Sequence, residues 1–169
     1  IGRNTGEFFP YNFGPELPDD QSVDDQKSLC FDGRILENGK SIIGAPVCNF
    51  NISVDKPLTQ LAIRLCDLRP DGTSALITHG CLILTMAESF EVPKRLEIEK
   101  RINVRVVLDQ IAYYIPAGHR LRLAMSTSYW PFIWPSPDLA KIRVFFGSIQ
   151  FPKSDSAIEE TKNTFGAPV

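Results

Sequence analysis

The nearest approach to a hydrolytic nucleophile in this chain is Ser74, within Gly72-Thr73-Ser74-Ala75-Leu76. A G-x-S-x-G elbow holds its serine on a tight strand-to-helix turn, with glycine on both sides. Here the second glycine is missing and the serine opens a strand after a turn, so Ser74 reads as a hairpin residue. A general base would have to be His79 or His119. Neither stands at a spacing that fixes it beside a nucleophile, and both read as structural. His79 and Cys81 share one strand face and would offer two soft ligands, half of what a structural zinc takes. None of Cys30, Cys48, Cys66 and Cys81 forms a C-x-x-C pair, so neither a metal site nor a cofactor is expected. Asp19, Asp20, Asp24 and Asp25 are oxygen donors, but they lack the alternating positions and central glycine of a calcium loop. That run is expected to be a solvated arm. No catalytic residue emerges.

The most unusual stretch is Tyr129-Trp130-Pro131-Phe132-Ile133-Trp134-Pro135-Ser136-Pro137, which holds both tryptophans of the chain. Its prolines forbid an ordinary strand or helix. Three readings stay open: a contact with another domain, a small core beneath the loop, or a platform for sugar rings.

The elements that would position these residues are strands. Cys48, Phe50, Ile52 and Val54 alternate with Asn49, Asn51 and Ser53, a two-residue period with one apolar face. Leu61, Ile63 and Leu65 repeat it against Arg64; Ile102, Val104, Val106 and Leu108 against Asn103 and Arg105. Leu121, Leu123 and Met125 alternate with Arg120 and Arg122, and Ile142, Val144 and Phe146 with Arg143. The run from Ala75 to Met86 is apolar on both faces and predicts an interior strand. Turn residues punctuate the runs at Arg69-Pro70-Asp71-Gly72 and Pro116-Ala117-Gly118, and Asn38-Gly39 suits a hairpin. The pattern predicts an all-β jelly-roll sandwich over residues 28–152, with an irregular arm over 1–27 and a tail over 153–169.

Bulk properties narrow the function. With 169 residues and 43% hydrophobic content the chain can bury a core without staples. A net charge of −2 carries no nucleic-acid footprint, and Glu97 and Glu99 dilute the basic Lys94, Arg95, Lys100 and Arg101. No stretch approaches the ~20 apolar residues of a membrane span. Cysteines set in apolar runs suit a reduced, cytoplasmic protein. The chain opens on Ile1 rather than Met, with no signal-peptide pattern, and is expected either to have been processed or to have been cut from something longer.

Several motifs, in order, carry a family resemblance. Gly44-Ala45-Pro46 precedes an alternating strand, and Leu61 to Ser74 reads LAIRLCDLRPDGTS. Ile115-Pro116-Ala117-Gly118-His119-Arg120-Leu121-Arg122-Leu123 follows, then the Trp-Pro segment, which is similar to the variant of some bacterial members. Together they resemble the C-terminal domain of the Xaa-Pro dipeptidyl-peptidase and cocaine-esterase serine hydrolases, over residues 15–152. The resemblance implies a galactose-binding-like jelly roll packed on an α/β-hydrolase domain that holds the Ser-His-Asp triad and oxyanion hole. No triad residue carries over to this chain, and no activity is expected of it alone. Gly118, His119 and Arg120 belong to a family stretch taken as structural. The implied partner is the preceding catalytic domain of the same polypeptide, with homo-oligomers left open. Residues expected to dock against it are Trp130, Phe132 and Trp134, backed by Phe8, Phe9 and Tyr11. The competing reading is a free-standing carbohydrate-binding module.

Overall fold

The computed structural model describes residues 1–2, 18 and 20–152. A four-residue helix α1 (Ser22–Asp25) precedes nine strands. These are β1 (Leu29–Asp32), β2 (Lys40–Gly44), β3 (Val47–Val54), β4 (Gln60–Leu68), β5 (Ser74–Ile83), β6 (Ile102–Val107), β7 (Ile111–Ile115), β8 (Arg120–Ser126) and β9 (Ile142–Gln150). One sheet has the order β1-β8-β4-β5, a second has β6-β3-β9, and β2 pairs with β7 in a separate ribbon. All pairings are antiparallel. The fold is an all-β sandwich.

Its core is built from the strand faces that the alternation marks. Phe50, Ile52 and Val54 of β3 meet Leu61, Ile63 and Leu65 of β4, with Val104, Val106, Leu123 and Met125 closing the cluster. Opposed apolar faces about 10 Å apart are what two such sheets bury. The Arg69–Thr73 turn forms as its residues predict. Gly72 takes φ +90° and Asp71 accepts from the Thr73 N–H at 2.9 Å. Gly118, at φ +83°, donates its N–H to the Leu36 carbonyl at 2.8 Å.

Three expectations fail. Asn38-Gly39 makes no hairpin, because β1 and β2 belong to different sheets and the chain crosses between them. Leu36 is bound to Gly118 and His119 on the way, which fixes that crossing. The apolar run from Ala75 is not an interior strand. Among the described residues β5 is a sheet edge, and the aromatic loop packs on its outward His79. The acidic run is not solvated throughout, since Asp24 and Asp25 are buried. An arginine inside the sheet draws them in.

Candidate functional site

The face of the four-stranded sheet that points away from the core carries two covers. The first is centred on Arg64 of β4, which is 1% exposed. A guanidinium cannot be desolvated there without counter-charges and acceptors. Its Nη2 donates to Asp25 at 2.8 Å and to Ser28 Oγ at 2.9 Å, and its Nη1 to Gln21 at 3.1 Å. Asp24 lies 3.9 Å from Nη1. Arg122 of β8 joins the network, 3.3 Å from Asp25 and bidentate to Asp32 at 2.7 and 2.8 Å. That fork raises the Arg122 guanidinium further above its ordinary range, against the opposing pull of burial.

Ser74 belongs to this network. It is buried, and its hydroxyl donates to Asp25 Oδ2 at 2.6 Å, while its N–H donates to Asp20 at 2.8 Å. Burial pushes the Asp20 carboxyl up, but bonds from Ser22 and Ser74 leave it below the usual carboxylate value. The two histidines are engaged elsewhere. His119 Nδ1 lies 2.8 and 3.0 Å from the Asp67 oxygens, which also accept from Tyr113 at 3.1 Å. His79 Nε2 lies 3.8 Å from Asp109. Among the described residues, serine, histidine and acid are therefore not assembled into a nucleophilic site, and no metal-holding group of three ligands forms.

The second cover is the aromatic loop. Tyr129 is fully buried, and its ring stacks on Phe132 at 5.2 Å between centroids. Phe132 lies 4.4 Å from the His79 ring, and the Tyr129–Ile133 bridge closes the turn around a cis Trp130–Pro131 bond. Gln60 donates to the Trp134 carbonyl at 2.9 Å, tying the loop to β4. The two tryptophans point outward, Trp130 at 47% and Trp134 at 77% exposure. Their rings meet edge to face, 5.2 Å apart and inclined by 75°. Sugar platforms need coplanar rings, and these are not coplanar. Phe8, Phe9 and Tyr11 lie outside the described residues.

All four cysteines are free. Burial pushes the Cys48 and Cys66 thiols up to about 12 and Cys81 up to about 11, so none is a thiolate nucleophile near neutral pH. The basic residues near position 95 pair locally and stay exposed, Lys94 with Glu88 at 2.7 Å and Lys100 with Glu97 at 2.6 Å. No described helix is long and apolar enough to cross a membrane.

The described residues define an all-β sandwich domain with an outward aromatic loop. The match to known families is more specific. Residues 5–164 fit the X-Pro dipeptidyl-peptidase C-terminal non-catalytic domain, and the chain belongs to that family. Three solved structures share the fold. An α-amino acid ester hydrolase superposes with a TM-score of 0.72 at 20% identity, over 79% of this chain and 27% of that one. An aminopeptidase from a marine-sediment Thaumarchaeota archaeon gives 0.64 at 21% identity, over 73% and 24%. A CocE/NonD family hydrolase from Staphylococcus aureus gives 0.56 at 16% identity, over 65% and 24%. The chain thus spans about a quarter of each. A comparison with curated proteins returned no match.

Proposed function

We propose that this domain braces the α/β-hydrolase catalytic domain of its own polypeptide, docking through Trp130, Phe132 and Trp134 and bordering the entrance to the active site. Phe8, Phe9 and Tyr11 back that contact. The parent is a serine hydrolase of the acyl esterase or Xaa-Pro dipeptidyl-peptidase type, which cleaves its ester or amide through an acyl-enzyme. The sandwich is of the galactose-binding-like jelly-roll kind, and the free thiols suit a cytoplasmic protein.

One observation carries the reading: the loop is rooted by buried Tyr129, stacked on Phe132, and leaves Trp130 about half exposed and Trp134 largely exposed. Rooted aromatics lose little freedom on contact, which is why Trp and Tyr dominate interface energetics. Gly118, His119 and Arg120 are structural in this view, since His119 is spent on Asp67 and Gly118 on Leu36.

The test is the double substitution Trp130→Ala, Trp134→Ala in the intact hydrolase. The expected result is an unchanged melting transition for residues 1–169 alone. In the intact protein, protease should cut between the domains at least ~10-fold faster. Equal cleavage of both intact proteins would remove the loop from the interface. A free-standing sugar module has the inclined tryptophans and the family membership against it.

A further inference from the structure

The two layers of the sandwich differ in width. On one side they meet. Asp109, just past β6, donates its N–H to the His79 carbonyl of β5 at 3.0 Å. Gly80 fits so tightly there that an added Cβ would lie 2.8 Å from Leu108 Cδ2 and from the Val107 carbonyl. Counted across from that closed side, β4 takes the same place in its sheet as β3, and β8 as β9. Among the described residues the four-stranded sheet has one strand left, β1, with no counterpart in the three-stranded sheet.

What lies there is an apolar groove of about 570 Å³, between two strands that are both sheet edges among the described residues. Leu29 and Phe31 of β1 and Leu123 of β8 form one wall, Val144 and Phe146 of β9 the other, and Phe50 the floor. Phe31 and Phe146 are exposed large apolar side chains, Phe146 at 67%. An apolar small molecule would cover these rings but leave both edges with unused backbone donors and acceptors. A polypeptide strand satisfies both needs, pairing with β9 and laying alternate side chains over β1. It would also bring the three-stranded sheet to the width of its partner.

Two stretches of this chain flank the described residues 20–152. Residues 3–17 are flanked by Gly2, whose N–H donates to Asp24, and by Asp20, which accepts from Ser74; both anchors lie on the far face of the four-stranded sheet. Residues 153–169 hold Ile158, Phe165 and Val169 as their large apolar residues, with no alternating run. A second copy joined β9 to β9 in one plane would drive each overhanging β1 into the other's β8. The solved hydrolases are about four times as long as this chain's match to them, which leaves ample polypeptide to supply a strand.

We infer that the β1/β9 groove is a strand-acceptor site, filled in the parent hydrolase by one extended segment of the same polypeptide outside residues 1–169. The segment carries apolar side chains at alternate positions and pairs with the free edge of β9. Acidic residues suit its flanks, because Arg101 caps the Phe145 ring at 3.8 Å and Lys40 the Phe151 ring at 4.7 Å. Asp32, which lines the groove, is already held by Arg122. The inference rests on the accessory-domain reading.

Hydrogen exchange read by mass spectrometry, on residues 1–169 and on the intact hydrolase, tests it. Amides of 29–32 and 142–150 should exchange at least ~10-fold slower in the intact protein. The double substitution Phe31→Asp, Phe146→Asp should erase that difference; both positions are exposed, so the fold of 1–169 survives. Equal exchange in the two proteins would overturn the inference. So would slow exchange in 1–169 together with a doubled molecular mass. Residues 129–135 report separately on domain docking. Protection there without protection of β9 sinks the acceptor alone, and the reverse pattern sinks the docking loop alone.

Discussion

Two covers lie side by side on one sheet face, and they solve the same problem with opposite chemistry. Residues 20–28 cover β4 and β8 with charges, and residues 129–134 cover β4 and β5 with rings. The charged cover is directed inward: Arg64, Asp24 and Asp25 are all buried, and the network also holds Gln21, Ser28 and Ser74. The aromatic cover is split, with Tyr129 sealed and Trp134 largely in water. A network whose charges face one another fixes a segment in place and offers little to a partner. A loop rooted at Tyr129 with the Trp134 ring largely in water keeps apolar surface that a partner could cover.

Breaking the charged cover should have the largest effect. Arg64→Met removes the buried guanidinium that Asp24 and Asp25 face, and removing one member of a buried pair costs about 3–5 kcal/mol. Urea unfolding should show a lower midpoint with an unchanged slope. A loss below about 1 kcal/mol would mean that residues 20–28 are solvated, as the acidic run suggests when read alone. Phe132→Ala comes next. Its half-buried ring touches Tyr129 and His79, and losing it should cost about 2 kcal/mol in the same experiment. Trp134→Ala, on the same loop, should change stability by less than about 0.5 kcal/mol, because its ring is largely solvated already. If Trp134→Ala proved as costly as Phe132→Ala, the aromatic cover would be core throughout and the contrast would collapse.

The strands were legible because their signal is local. Two-residue alternation marks β3, β6, β8 and β9, and burying one face of each is enough to form the core. The family was legible for a related reason, since LAIRLCDLRPDGTS and IPAGHRLRL are contiguous motifs. What stayed hidden depends on partners far apart in the chain. Arg64 interrupts an apolar strand, and on alternation alone it belongs to a wet face. The signal was that Leu61–Cys66 contains no acid for Arg64, while Asp19, Asp20, Asp24 and Asp25 have only Lys27 beside them. Joining those two facts requires knowing that α1 crosses β4, which no local period encodes. The edge position of β5 was hidden in the same way. Its outer face is apolar because a loop some 50 residues later covers it, and strand periodicity does not separate that from burial between strands.

The smallest effect sharpens the comparison where the aromatic cover touches a titratable group. His79 lies beneath Phe132 and Tyr129, and burial holds its imidazole below the ordinary value, with Asp109 pulling partly the other way. As pH falls through about 6.5 the unfolded chain takes up this proton before the folded one does. The unfolded state then binds more protons, so His79 makes stability fall with falling pH until the lowered native value is reached. Above about pH 7.5 it contributes no slope. Urea midpoints for the wild type and His79→Phe, measured at about pH 7.5 and about pH 5.5, isolate this contribution from the carboxylates common to both. The wild type should lose more stability on acidification. Parallel losses would show that the ring is hydrated, and that Phe132 does not seal the sheet beneath it. A domain docked over the loop would bury His79 further, so the same difference should be larger in the intact hydrolase.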